Sequence, residues 1–147
     1  MSVGVDTCGY IPSENLELTL PYVSFFLWDI KVMDEQRQKE FTGVSNRRIL
    51  DNLNLVAKRN VPIYIRMPLI SGYNDSKENI KVTCEFVRGL TSLVEVDLLP
   101  LHHLGMARYA SLDRDYPMAG IPLLPDNVLQ DMKCLVESYG LNCSIIG

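Results

Sequence analysis

Five short apolar runs, separated by stretches with helical periodicity, constrain the fold of this chain most strongly. The runs span residues 2–7, 22–30, 61–70, 94–101 and 141–146. They are rich in β-branched and aromatic residues and are apolar almost throughout, which is typical of parallel strands covered on both faces. Strands that alternate with helices predict an α/β fold with right-handed crossovers and about five parallel strands.

The predicted helices begin at capping residues and continue with apolar positions three and four residues apart. They cover residues 13–20 and 34–41, a longer helix from Ser45 or Asn46, another from Ser76, and a last one from 125 to 140. Residues 73–75, after Gly72, predict only a turn. Residues 105–124 form the one long connection without such a pattern, which predicts a functional loop or flap. No repeat or linker divides the chain, so we expect a single domain over residues 1–147.

Composition excludes several classes of protein. The chain has 147 residues, 47% of them hydrophobic, and 14 basic against 18 acidic residues give a net charge of -4. A nucleic-acid-binding protein would need a basic face, so that class is disfavoured. The longest uncharged apolar stretch, residues 18–28, is too short to span a bilayer and contains Pro21. No secretory leader is recognisable, and we therefore expect a cytoplasmic protein that binds neither nucleic acid nor membrane.

The four cysteines are predicted to be reduced and mostly buried thiols. None of them forms a Cys-x2-Cys or Cys-x3-Cys pair. Such pairs are the usual chelating elements of zinc and iron–sulfur sites, so the sequence predicts no such site within this chain. A disulfide framework is also disfavoured at this cysteine density.

Polar side chains lie at or just after the ends of three of the apolar runs and, in the case of Arg66, inside the third run, just before Met67 and Pro68. They are Asp6 and Thr7, Asp29 and Lys31, Arg66, and His102 with His103. Because the carboxyl ends of parallel strands share one edge of a sheet, we expect these side chains to converge there. A charge in a buried strand costs several kcal/mol unless a partner or ligand compensates it. The pattern therefore indicates a ligand site, but it does not specify a reaction.

Each of these residues also has an alternative, purely structural interpretation. Asp29 and Lys31 lie two residues apart, on the same face of a strand, and could pair with each other. Arg66 could be an interior ion-pair partner of either aspartate, and Asp6 could cap the following turn. The two adjacent histidines point to opposite sides of an extended chain, so they cannot easily chelate one ion. We expect one of them to be inward and functional and the other to lie on the surface.

Five motifs, taken in order, resemble the C-terminal half of the radical S-adenosylmethionine enzymes that activate glycyl-radical enzymes such as pyruvate formate-lyase. The motifs are VDTCG at 5–9, LWDIK at 27–31, TGVSN at 42–46, IRMPLI at 65–70 with GYND at 72–75, and LLPLH at 98–102 with LG at 104–105. Each motif is weakly specific alone. Their order and spacing along nearly the whole chain indicate common descent.

The resemblance implies a partial (β/α)6 barrel to which this chain contributes the later units. In this family, S-adenosylmethionine lies across the carboxyl ends of the strands. Carried over position by position, the resemblance implies that Asp29, Ile30, Lys31, Arg66 and His102 bind this cofactor. It assigns no catalytic residue to the chain.

The resemblance also implies a small site for a monovalent cation beside the cofactor, formed by Asp6, Thr7 and Asp29, with the Leu27 carbonyl as a further ligand. In the family reaction, a [4Fe-4S] cluster cleaves S-adenosylmethionine reductively, and the 5'-deoxyadenosyl radical takes a hydrogen atom from a backbone glycine of the partner enzyme. The implied partners are a glycyl-radical enzyme and an electron donor such as flavodoxin or ferredoxin.

The chain departs from the family pattern in two respects: it lacks the Cys-x3-Cys-x2-Cys loop that binds the cluster, and it lacks the glycine-rich segment that meets the cofactor. The resemblance therefore implies a fragment that is inactive alone and needs the missing N-terminal half of the barrel. A buried-type strand close to Met1 agrees with a chain that begins inside a larger sheet. One alternative is a non-catalytic half-barrel that binds a nucleoside or docks on a partner. A further alternative is an unrelated α/β enzyme that uses His102 and Asp29 as acid and base.

Overall fold

Strands and helices alternate along the chain in a computed structural model that describes residues 1–103 and 106–147. Within these residues, five parallel strands form one sheet in the order β1-β2-β3-β4-β5. The strands are β1 (Gly4–Thr7), β2 (Phe25–Asp29), β3 (Ile63–Leu69), β4 (Leu93–Pro100) and β5 (Cys143–Ile145). The helices are α1 (Ser13–Thr19), α2 (Glu35–Thr42), α3 (Arg47–Lys58), α4 (Lys77–Val87), α5 (Met106–Ser111) and α6 (Asp126–Glu137). The predicted five-stranded parallel α/β fold is confirmed.

The second strand begins later than the sequence predicts. Its apolar run starts at Tyr22, but residues 20–22 form a 3-10 turn with Pro21 in its first positions, and β2 starts at Phe25. Proline lacks an N–H donor and has a fixed φ, so the chain enters the ladder only after leaving the turn.

Two of the predicted helix starts are capped by the side chains that the sequence indicates. Asp34 accepts the backbone N–H of the third residue of α2 at 2.8 Å, and Ser76 does the same for α4 at 3.1 Å. Asn46 occupies the N-cap position of α3, but its side chain forms no capping hydrogen bond. Its side-chain amide instead donates to the backbone carbonyls of Val32 and Met33.

The helices cover one face of the sheet, which corrects the expectation that both faces are covered. Alternate strand residues such as Phe26 and Trp28 are fully buried, and they form one core with side chains of α1, α3, α4 and α6. In β2 and β3 the residues of opposite parity, among them Asp29 and Arg66, are only half-buried. We call this second side of the sheet the open face. In a barrel it would be the interior, which explains why it carries charged residues.

In its described part, the connection after β4 contains a short helix that the sequence did not predict. This helix, α5, is exposed along its length. Leu104 and Gly105, which form the LG motif and the start of the predicted loop, lie outside the described residues. A functional role for the connection stays a prediction. Among the helices described, none is long and apolar enough to cross a membrane.

Candidate functional site

Arg66 lies at the centre of an ion-pair cluster on the open face. The parallel register places it directly between Asp29 of β2 and Asp97 of β4. Its Nε donates to Asp29 Oδ1 at 2.9 Å, and a terminal guanidinium nitrogen donates to Asp6 Oδ1. Arg66 is thus the ion-pair partner of both aspartates. Among the ion pairs of the described residues, none includes Lys31, so the alternative Asp29–Lys31 pair is not formed.

The side chains of the Arg66 cluster are partly buried. The side chains of Arg66 and Asp29 are 19% and 22% exposed, whereas that of Asp6 is 60% exposed. Burial opposes the charged form of Arg66, but the hydrogen bonds and negative charges of Asp29 and Asp6 outweigh it and raise the pKa of the guanidinium above its ordinary value. The cation is therefore held firmly between the two carboxylates.

Asp97 and Glu95 extend the charged cluster across β4, and the sequence analysis did not single them out. Asp97 is only 4% exposed, and its Oδ1 has no hydrogen-bond partner among the described residues. Burial, together with the hydrogen bond and negative charge of Glu95, raises the pKa of Asp97 to about 6, although Arg66 acts in the opposite direction. The available signal was two acidic residues at alternate positions of an otherwise apolar run.

The segment that follows β2 carries Ile30 and Lys31. The Ile30 N–H donates to the Arg66 carbonyl at 2.9 Å, and the Ile30 side chain is buried in the core. Lys31 is exposed and lines a cleft of about 310 Å³ with, among others, Pro68 and Tyr73. The ammonium group therefore stands at the strand-end edge of the sheet, where an anionic group of a ligand can reach it.

The two histidines follow β4 and differ in environment. His102 is exposed, whereas His103 is half-buried and its Nε2 lies 3.0 Å from the Ile121 carbonyl oxygen. The His102 ring packs so closely on Gly147 that a Cβ there would lie 2.2 Å from Nε2. The inward histidine is therefore His103, while the resemblance assigns the cofactor role to His102. No hydrogen bond or ion pair of the described residues joins His102 to the Arg66 cluster.

The residues of the predicted cation site have other partners in this structure. The Thr7 hydroxyl accepts the Gly9 N–H at 2.9 Å and closes the turn after β1, the role that the sequence analysis considered for Asp6. The carboxylates of Asp6 and Asp29 both bind Arg66. A monovalent cation would have to share or replace these contacts, so the cation site stays a prediction.

The chain does not fit an iron–sulfur cluster. All four cysteines are free; Cys84 and Cys143 are buried, and burial is the main cause that raises their pKa values to about 11 and about 12. No group of three or more histidine, cysteine or acidic side chains in the described part of the chain could hold a metal ion. The strand-end residues do fit S-adenosylmethionine by their chemistry, because carboxylates suit its ammonium group and cationic side chains suit its carboxylate.

Comparisons with solved structures place the fold. The chain resembles, over its whole length, a domain of a pyruvate-formate lyase-activating enzyme from Bacteroides vulgatus, with a TM-score of 0.82, 30% identity and 82% coverage of that domain. It also resembles a radical SAM methyltransferase from Sphaerobacter thermophilus, with a TM-score of 0.73 over 97% of the chain and 39% of that protein; at 16% identity this likeness concerns the fold alone. The architecture is that of part of a radical SAM barrel.

Sequence comparisons give the family. The chain is 34% identical to the choline trimethylamine-lyase activating enzyme of Oleidesulfovibrio alaskensis, over 99% of the chain and 48% of that protein. It is 40% identical to the isethionate sulfite-lyase activating enzyme of Nitratidesulfovibrio vulgaris, over 81% of the chain and 39% of that protein. No protein-family model matches the chain. The chain belongs to the activating enzymes of glycyl-radical enzymes, and it spans about half the length, or less, of these curated relatives.

Family membership removes one alternative from the sequence analysis. An unrelated α/β enzyme would not share more than 30% identity with several activating enzymes along most of its length. In addition, His102 follows β4 whereas Asp29 ends β2, with β3 between them in the sheet. The acid–base pair proposed for that alternative is therefore not supported.

Proposed function

We propose that this chain is the S-adenosylmethionine-binding C-terminal part of a glycyl-radical enzyme activating enzyme. The proposal depends most on one observation: Asp6, Asp29 and Arg66 come from three different strands and meet near the carboxyl ends of β1 and β2, on the face that would be the interior of a complete barrel. Ligands of parallel α/β folds bind at this edge. Lys31 and His102 follow β2 and β4 at the same edge.

The residues have distinct proposed roles. The Lys31 ammonium would bind the carboxylate of the cofactor's amino-acid group. Asp29 would accept hydrogen bonds from N–H or O–H groups of the cofactor. Arg66 orients Asp29 through the 2.9 Å hydrogen bond and holds its negative charge in place. Ile30 would contribute its backbone carbonyl, since its side chain is buried in the core, and His102 would close the site at the β4 end. When bound, S-adenosylmethionine supplies the adenosyl group with which the family's reaction begins.

The cluster-binding part of the enzyme is proposed to lie outside this chain. Residues 1–147 would form a single domain with the later barrel units, and the iron–sulfur ligands would come from preceding sequence or from a separate chain. The partners would then be that N-terminal half, a glycyl-radical enzyme of the pyruvate formate-lyase kind, and an electron donor such as flavodoxin or ferredoxin. We also propose that the protein works in the cytoplasm, since four free thiols suit a reducing compartment.

The genomic sequence around the coding region tests the domain assignment. A Cys-x3-Cys-x2-Cys motif in the same reading frame, or in an adjacent gene, supports a fragment or subunit of an activating enzyme. A gene that encodes only these residues, with no cluster motif nearby, would instead favour a non-catalytic half-barrel.

Calorimetric titration of the chain with S-adenosylmethionine tests the site. The wild-type chain should bind, and Lys31→Ala and His102→Ala should each weaken binding by about ten-fold, the effect of about 1.4 kcal/mol. Matched controls are Lys58→Ala, at the end of α3 far from the strand ends, and His103→Ala, next to the tested histidine. Neither control should change the affinity.

Two results would reject parts of the proposal. Equal binding by the wild type and both site variants would remove Lys31 and His102 from the site. A wild-type chain that binds no S-adenosylmethionine would remove the half-site altogether.

A further inference from the structure

Three buried asparagines from different parts of the fold surround the backbone that carries Lys31. Asn46 precedes α3, Asn74 lies in the turn after β3, and Asn79 is in the first turn of α4. Their exposed fractions are 6%, 5% and 9%. Buried polar side chains must find hydrogen-bond partners inside the protein, so the direction of these amides is informative.

The asparagine amides replace the sheet hydrogen bonds that end at Ile30. Beyond it, the Lys31 carbonyl accepts from Asn74 Nδ2 at 3.1 Å and from Asn79 Nδ2 at 3.4 Å. The Met33 N–H donates to Asn79 Oδ1 at 3.0 Å. Asn46 Nδ2 donates to the carbonyls of Val32 and Met33 at 3.1 and 2.7 Å. The segment from Lys31 to Met33 is therefore fixed although it belongs to no strand or helix.

Asn74 also connects this segment to the end of the neighbouring strand. Its Oδ1 accepts the Ile70 N–H at 2.8 Å, and its Nδ2 donates to the Pro68 carbonyl as well as to Lys31. The turn that allows this includes Gly72 at a φ of 79°. One amide thus joins the segment that follows β2, which carries Lys31, to the end of β3, which carries Arg66.

We propose that Asn74 and Asn79 are positioning residues that fix the Lys31 backbone and thereby aim the Lys31 ammonium at an anionic group of the ligand. Within the part of the chain described, Lys31 has no side-chain ion pair, so the direction of its side chain depends on its backbone. This inference rests on the proposed function, in which that group is the carboxylate of S-adenosylmethionine. An aspartate has nearly the same shape as asparagine, but an ionised carboxylate cannot donate a hydrogen bond. It would also place negative charge against the Lys31 carbonyl.

The variants Asn74→Asp and Asn79→Asp, with Asn52→Asp as matched control, test the inference. Asn52 is 2% exposed and donates to the carbonyls of Gly9 and Ile11, both at 2.8 Å, so its substitution also leaves buried carbonyls facing an acceptor. It fixes the turn after β1 and not the Lys31 segment. All three variants should lose thermal stability. Only Asn74→Asp and Asn79→Asp should loosen the backbone at Lys31.

Two measurements separate positioning from general destabilisation. The first is the rate of trypsin cleavage after Lys31, relative to cleavage after Lys58, followed by mass spectrometry. Cleavage after Lys31 should accelerate in Asn74→Asp and Asn79→Asp and not in Asn52→Asp. The second is calorimetric affinity for S-adenosylmethionine, which should fall about ten-fold in the same two variants, the scale seen when groups that orient a ligand are removed.

Each outcome decides one of the two proposals. Equal cleavage after Lys31 in all three variants, or wild-type affinity in Asn74→Asp and Asn79→Asp, would overturn the positioning role. If the wild-type chain binds no S-adenosylmethionine while cleavage after Lys31 still responds to the two substitutions, the proposed function fails and the fixation of the Lys31 segment stands.

Discussion

Replacing Arg66 with methionine removes the cation that pairs with Asp6 and Asp29 in the open-face cluster while keeping most of the volume of the side chain. The substitution leaves Asp29 without the partner that binds it at 2.9 Å and leaves the buried Asp97 beside further uncompensated negative charge. Breaking a fully buried ion pair costs about 3–5 kcal/mol. Because Arg66 and Asp29 are 19% and 22% exposed, water screens part of this cost, and we expect a loss of about 2–3 kcal/mol.

Urea and thermal unfolding measure this loss. For a chain of this size, about 2–3 kcal/mol corresponds to a decrease in Tm of roughly 5–10 °C. The matched control is Arg59→Met, which breaks a pair with Glu17 whose side chains are 59% and 48% exposed. Exposed pairs contribute little, so the control should lose about 0.5 kcal/mol or less.

A double variant gives the sharper test of the charge argument. Asp29→Asn in the Arg66→Met background removes one of the unpaired charges, so the double variant should regain about 1 kcal/mol relative to Arg66→Met. If Arg66→Met costs no more than Arg59→Met, or if Asp29→Asn makes it still less stable, the electrostatic interpretation of the cluster is wrong.

Two further predictions concern Asp97 and Gly9. Because the pKa of Asp97 is raised to about 6 from its ordinary 3.8, the folded protein binds this proton more tightly than the unfolded chain, and stability falls as the pH rises from about 4 to about 6. Asp97→Asn should therefore raise the free energy of unfolding, measured with urea, by about 1–3 kcal/mol at about pH 7.5 and by little near pH 4. An equal change at both pH values would contradict the raised pKa of Asp97. Gly9→Ala should cost about 2–5 kcal/mol in the same assay, because φ is 75° and the added Cβ would lie 1.9 Å from the Trp28 ring. Gly43→Ala, with a φ of 79° and no atom within 4 Å, should cost only about 1 kcal/mol, and equal losses at both glycines would rule out the contact with Trp28 as the cause.

Much of the fold was predictable because its signals are local. Each strand lies largely within one of the five apolar runs, and the caps at Asp34 and Ser76 are used as the sequence indicates. The second strand starts late for a reason that is also local, namely Pro21 in the preceding turn. The short helix α5 was missed because it is exposed and has no apolar face to reveal its period.

The candidate site was predictable only in part. Asp29 at the end of one predicted strand and Arg66 inside the next indicated a common site, and the register confirms that they are neighbours. Asp97 was overlooked because its run was treated as uniformly apolar. Asn74 was assigned only to a turn, since nothing in the local sequence shows that its amide reaches the carbonyl of Lys31.

The amino-acid sequence alone determined the class of fold and the family, because hydrophobic periodicity and short ordered motifs are properties of neighbouring residues. Only the tertiary structure decided which face of the sheet is left open, which carboxylates share Arg66, and which asparagines hold the backbone at Lys31. These contacts join residues about 40 or more positions apart in the chain. They form when strand register and helix packing bring particular donors within about 3 Å of particular acceptors, a condition that no local pattern specifies.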